Sequence, residues 1–225
     1  MADDKQTLLT EFQVKVARLF FSLSASEGFL LAGGGALLAQ GLTARPTRDL
    51  DFFTRPGAGD VREARDEFVV AAEHCGWDVE LGRDGPTYCR LTVRGAEDPQ
   101  PLELDLAVDS GPSQPPSASI VGPTFAPAEL AGRKVVALFD RAADRDFVDV
   151  FALSARFDKT SLLDLARQLD AGFNVRVFVE MIDMLNKYQD VDLEQGEVDV
   201  PALRAFFRQW RAELAGSGEA LGGDQ

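Results

Sequence analysis

The chain has one histidine, His74, two cysteines, Cys75 and Cys89, and no apolar run approaching the length of a membrane span. A lone histidine set among Glu73, Cys75 and Gly76, where a helix is predicted to end, reads as structural and argues against histidine-based catalysis. Two cysteines give neither a disulfide framework nor a metal-binding spacing, and read as reduced, part-buried thiols. The opening MADDKQTLLTEF has acids and no apolar signal-peptide core, so a soluble, cytoplasmic protein with no membrane partner is expected. Lysine is scarce too, 5 against 18 arginines, and 37 acidic residues bring the net charge to −14. That balance argues against a general nucleic-acid coat, because affinity for a polyanion comes from neutralising its phosphates. The cations that remain are mostly of the forked kind that recognises phosphate. No internal repeat is visible.

Enough is present for a packed core: 225 residues with 45% apolar content suit one large domain or two modest ones. The chain is organised around residues 29–54, FLLAGGGALLAQGLTARPTRDLDFFT. This reads as an apolar strand over 29–32, a turn of three glycines (Gly33, Gly34, Gly35), a short helix from Ala36 to about Gly41, and a second strand carrying Asp49 to Phe53. Glycines let the backbone approach a phosphate with its N–H groups free, and a following helix N-terminus favours an anion. Strand alternation puts Asp49 and Asp51 on one face and Leu50 and Phe52 on the other. Two carboxylates so placed, beside a phosphate loop, suit a hard divalent cation.

Thirteen residues separate Gly35 from Asp49. Paired small residues, a spacer of this length and Asp-x-Asp resemble the polymerase-β-like nucleotidyltransferases. The fuller string RPTRDLDF, with Arg45, Thr47, Arg48, Asp49 and Asp51, is similar to the AbiEii and MenT branch, bacterial nucleotidyltransferase toxins paired with an antitoxin. The first loop has Gly34-Gly35 where many relatives have Gly-Ser, and the resemblance implies that backbone N–H groups substitute for the missing hydroxyl in the phosphate contact. The resemblance spans roughly residues 25–155.

Further along, Thr7 to Ser24 has the spacing of an amphipathic helix, and Asp60 is placed to cap another that runs to Cys75 and ends at Gly76. Strands are predicted over 77–81, 87–93 and 102–108, with antiparallel pairing between neighbours. Proline-rich residues 111–126 read as a crossover, and helices are predicted over 127–141, 143–157, 161–169, 174–188 and 201–214, before a glycine-rich tail over 216–225. The expected fold class is α+β. A polymerase-β-like nucleotidyltransferase lobe with a mixed or antiparallel sheet occupies 1–110, and a helical lobe over 127–225 closes the nucleotide cleft.

In PLELDLAVD the leucines alternate onto the core face, which leaves Glu103 and Asp105 together on the other. The resemblance favours Asp105, between two leucines, as the third acid that helps activate the attacking hydroxyl and joins Asp49 and Asp51 on the metal. ELAGRKVVALFDRAADRDFVDVFAL resembles the second family signature, through Lys134, Arg141, Arg145, Asp146 and Asp149. That implies Lys134 on the triphosphate, and Asp146 or Asp149 orienting it or contacting the nucleoside. Both acids also stand near a helix start, where capping or pairing with Arg145 would explain them. Gly34, Gly35, Arg48, Lys134, Arg141 and Arg145 are the expected phosphate and nucleotide contacts, and Arg55 could join Arg45 and these arginines in a basic cluster. Thr47, two residues before Asp49, is a regulatory candidate, since a phosphate there would add nearly two negative charges beside the metal acids.

The implied activity is transfer of a nucleoside monophosphate from an NTP to RNA, at the tRNA 3′ end, with Mg²⁺ or Mn²⁺, release of pyrophosphate and a cognate antitoxin as partner. Two other readings stand beside it: transfer to a protein or small-molecule hydroxyl such as that of an antibiotic, and a non-catalytic partner-binding protein of the same fold.

Overall fold

The computed structural model describes residues 8–98 and 100–220, with side chains to 216. The expected helix start at Thr7, Pro99 in the turn before the 102–108 strand, and residues 221–225 of the expected tail lie outside the described residues. The chain forms two compact units. One takes the described residues up to Gly41 together with Pro46–Pro127, and the other takes Leu42–Arg45 with the described residues from Ala128 onward.

The first unit is built on one mixed sheet. Its strands are β1 (Phe29–Ala32), β2 (Asp49–Thr54), β3 (Asp78–Asp84), β4 (Tyr88–Arg94), β5 (Leu102–Val108), β6 (Ser117–Ser119) and β7 (Gly122–Thr124), in the order β3-β4-β5-β2-β1-β7-β6. β3, β4 and β5 pair antiparallel as their short connections predict, while β2 runs parallel to β5 and antiparallel to β1. The proline-rich crossover contains the β6–β7 hairpin, and β7 extends the sheet by lying parallel to β1 at Leu31 and Thr124. Outermost β3 is largely exposed and carries Asp78, Glu80, Arg83 and Asp84, charges that discourage edge pairing.

Strand alternation gives the sheet two different faces. Leu50 and Phe52 of β2, Cys89, Leu91 and Val93 of β4, and Leu104 and Leu106 of β5 are fully buried. Helices α1 (Glu11–Ser22) and α3 (Val61–His74) supply their cover: Phe20 of α1 stacks on Phe52 at 4.1 Å and lies edge-on to Phe29 at 5.5 Å, while Phe68 of α3 is also buried. Each such ring stabilises the core by roughly 1.5–3 kcal/mol relative to exposure. α1 begins at a capping box, Thr10 Oγ1 accepting from the Gln13 N–H and Gln13 Oε1 from the Thr10 N–H. Asp60 caps α3, which ends at Gly76 with φ of +75°.

The described part of the second unit beyond Arg45 is helical: α4 (Pro127–Arg141), α5 (Asp144–Leu153), α6 (Lys159–Leu169), α7 (Val175–Asp183), α8 (Asp190–Leu193) and α9 (Val200–Ala220). The helix predicted over 174–188 is α7 continued by a 3-10 turn over Met184–Lys187, and α8 is a short element without a sequence signal. α9 runs through Gly216 to Ala220, into the segment whose glycine content reads as a tail beyond the helix. Phe147, Phe178, Phe207 and Trp210 are fully buried and meet mainly edge-to-face, the arrangement aromatic quadrupoles favour.

Candidate active site

β1 delivers the chain straight into helix α2 (Gly33–Ala39), so the three glycines form its first turn instead of a loop ahead of it. Gly33 has φ of +60°, and a Cβ there would lie 1.7 Å from Asp51 Oδ2. Only glycine leaves that notch open for the Asp51 carboxylate. At Gly35 a Cβ would meet Leu50 Cδ2 at 2.8 Å, so this glycine lets α2 lie directly on β2. Gly34, like Gly35, is buried in the same turn. Gly33, which sequence reasoning treated only as part of a turn, is thus the glycine that accommodates an expected metal acid.

β2 shows the alternation expected of it, Leu50, Phe52 and Thr54 buried and Asp49, Asp51 and Phe53 partly open on the other face. The Thr47 hydroxyl donates to Asp49 Oδ1, and Gln13 Nε2 of α1 donates to the Thr47 carbonyl at 2.8 Å. The approach to β2 is therefore tied to the capped end of α1. Arg48 is exposed, and its carbonyl accepts the Glu103 N–H at 3.2 Å.

Parallel pairing sets Asp105 directly beside Asp51, and Glu103 beside Asp49, on the same face. Glu103 is exposed whereas Asp105 is mostly buried. Asp105 receives a two-pronged ion pair from Arg90 of β4, Nε to Oδ1 at 2.7 Å and Nη2 to Oδ2 at 2.6 Å, and the Tyr88 hydroxyl donates to Oδ1 at 2.9 Å. The bond to Asp105 pushes the Arg90 guanidinium further up, and burial together with the same carboxylate raises Tyr88. Sequence reading missed both partners. Their signal was the alternation Tyr88, Arg90, Thr92 on the polar side of a strand predicted to pair with the one bearing Asp105.

The signature residues of the helical unit form two clusters. Asp149 of α5 is fully buried, and it accepts from Arg45 Nε at 2.8 Å, Arg45 Nη2 at 2.9 Å and Lys134 Nζ at 2.8 Å. Burial alone would raise its carboxyl, but Lys134 and Arg45 outweigh that and hold it below the usual carboxylate range. Lys134, on α4, is itself nearly buried, so Asp149 fixes where its ammonium sits. Asp146, also fully buried, takes both prongs of Arg141 at 2.8 and 2.9 Å and accepts from the Ala143 N–H at 3.3 Å, which caps α5. Lys134 and Arg141, both on α4, thus answer to different acids. Arg145 donates its backbone N–H to Asp144. Arg45 and Thr43 precede β2 in the chain yet belong with the helices, a pairing that no local spacing predicts.

Asp49 and Asp51 offer hard carboxylate oxygens, and the Gly33 notch makes room for one of them. Among the described residues no three His, Cys, Asp or Glu side chains gather into a metal cage. Two carboxylates nonetheless fit Mg²⁺, which keeps several waters and draws further ligands from substrate phosphates.

Comparison with known proteins agrees with this arrangement. The family model for the nucleotidyl transferase AbiEii toxin of type IV toxin–antitoxin systems matches residues 18–219. In fold the chain is similar to JHP933 from Helicobacter pylori (21% identity, TM-score 0.63, covering 95% of this chain and 97% of that one). It is also similar to the MenT4 nucleotidyltransferase toxin from Mycobacterium tuberculosis H37Rv (19% identity, TM-score 0.59, covering 91% and 82%). No curated protein matches it by sequence. The match over nearly the whole chain, with the acids of β2 inside it, means that the protein belongs to the AbiEii nucleotidyl transferase toxin family.

Proposed function

We propose that the protein is a metal-dependent toxin that transfers a nucleoside monophosphate from an NTP to the 3′ end of tRNA. The observation that carries this reading is the pair Asp49 and Asp51 on the open face of β2, one of them seated against Gly33 and beside Asp105. In the reaction the acceptor 3′ oxygen forms a bond to the α-phosphorus, the α–β phosphoanhydride bond breaks, pyrophosphate leaves and the hydroxyl proton passes to Asp105. Asp49 and Asp51 hold the divalent cation, Mg²⁺ or Mn²⁺, which when bound neutralises phosphate charge and polarises the reacting phosphoryl group. The backbone of Gly34 and Gly35, with Arg48, Arg141 and Arg145, binds phosphates. Lys134 contacts the triphosphate, with Asp149 orienting it through the 2.8 Å ion pair, and Asp146 positions Arg141. We infer a cognate antitoxin and a cytoplasmic site of action, and no described helix is long and apolar enough to cross a membrane.

The Thr47 hydroxyl bonds to Asp49, so a phosphate on it would bring about 1.5–2 negative charges against a cation ligand. Thr47→Asp should abolish transfer while Thr47→Val keeps most of it, and full activity in Thr47→Asp would contradict a regulatory role.

Purified protein, each α-³²P-labelled NTP, Mg²⁺ and total bacterial RNA test the acceptor. Label is expected in a tRNA-sized band and should disappear when periodate first oxidises the RNA 3′ diols. Label on a protein or small-molecule hydroxyl, acceptors that suit a net charge of −14 better, would overturn the RNA reading. No label on any acceptor would favour a partner-binding role instead.

A further inference from the structure

On β4, Cys89, Leu91 and Val93 are fully buried, so Tyr88, Arg90, Thr92 and Arg94 turn to the face of the sheet that carries the acids. Antiparallel pairing sets Arg90 opposite Asp105, and parallel pairing sets Asp105 opposite Asp51. The three residues therefore form one row across adjacent strands, with neighbouring strands about 4.8 Å apart. Two carboxylates side by side repel, and Arg90 supplies the compensating charge from the far end of the row.

Its hold on Asp105 is two-pronged. The guanidinium engages both carboxylate oxygens, and its Nη1 lies 3.4 Å from Glu103 Oε2. With Tyr88 the fork takes three of the carboxylate's about four lone-pair sites and holds it on the β4 side, and among the described residues it does not gather with Asp49 and Asp51 into a metal cage. The Arg90 side chain is 43% exposed, so its guanidinium has water to return to. Tyr88 contacts only Oδ1. Release of Arg90 therefore frees Oδ2 while Oδ1 stays anchored.

We propose that Arg90 is a positioning residue that latches Asp105: its fork withholds the carboxylate, and its departure lets Asp105 join a cation held by Asp49 and Asp51. The proposal rests on the reading of Asp49 and Asp51 as cation ligands.

Mn²⁺ binding by the full chain, followed by electron paramagnetic resonance, tests it without any turnover. Arg90→Gln should tighten Mn²⁺ binding on the order of tenfold, the scale of a charged hydrogen-bonded pair. Arg90→Lys keeps the charge but loses the fork, and should tighten binding as well. Neither gain should appear when Asp105→Asn is already present. Matched thermal melts verify that each variant folds. Arg90→Lys binding like wild type would overturn the latch, leaving charge alone as the cause, and so would a gain that persists with Asp105→Asn. Wild-type binding that survives Asp49→Asn/Asp51→Asn, or no binding at all, would instead remove the cation-site reading and the latch with it.

Discussion

Gly33 shows how one missing side chain can serve a site. Replacement by alanine forces a Cβ into the Asp51 carboxylate and holds an L-residue at φ of +60°. The backbone strain alone costs about 1–2 kcal/mol. Gly33→Ala should therefore unfold at lower urea and lose nucleotidyl transfer by displacing Asp51, whereas retained activity would mean that the notch is incidental. Asp149 is the counterpart in the helical unit. Asp149→Asn leaves Lys134 and Arg45 without their buried counter-charge, which is expected to cost about 3–5 kcal/mol at neutral pH. Because Lys134 and Arg45 depress the Asp149 carboxyl against the effect of burial, its contribution is present above the unfolded carboxylate value near about 3.9. That contribution is lost as pH falls through the lower folded value. Urea midpoints of wild type and Asp149→Asn should accordingly converge in acid, and a gap that stays constant from pH 7 to pH 3 would show that the carboxylate charge is not the cause.

At the scale of elements, α1 does more than cover the sheet. Its capping-box glutamine reaches the Thr47 carbonyl just before β2, so the helix end and the approach to the acids share one side chain. Gln13→Ala should cost about 1 kcal/mol of stability through the lost cap, measured by thermal melting, and should lower transfer beyond that loss. Transfer unchanged at a temperature where the variant is fully folded would mean that Thr47 needs no such tie. The elements legible in the sequence were those with local signals: alternation marked β2, β4 and β5, and Asp60 with Gly76 bracketed α3. The β6–β7 hairpin was hidden because three-residue strands among prolines carry no periodicity. The glycines looked like a loop because propensity disfavours them in a helix, yet close packing on Leu50 and Asp51 decides their conformation. Registers were not legible at all. That Asp105 lies beside Asp51 and Arg90 beside Asp105 follows from pairing between distant segments, as does the Arg45–Asp149 contact.

For the whole molecule, the net charge of −14 is the strongest physical constraint on what it can act upon. A polyanionic acceptor must be met by local cations and bound metal against an unfavourable overall field, so its association should be slow and salt-sensitive. The chain's family membership was readable from the glycines, the spacer and Asp-x-Asp, and it extends through the helical unit to residue 219. Asp49 and Asp51 are proposed to support transfer of a nucleotide. A comparison of α-³²P with γ-³²P NTP for the wild-type protein, Asp49→Asn and Asp51→Asn, with folding verified by thermal melts, tests this. Acid-stable label should enter an acceptor from α-³²P only, label from γ-³²P should enter pyrophosphate, and each variant should lose at least about 10²–10³-fold. Transfer from γ-³²P to the acceptor, or undiminished transfer in either variant, would contradict the proposal.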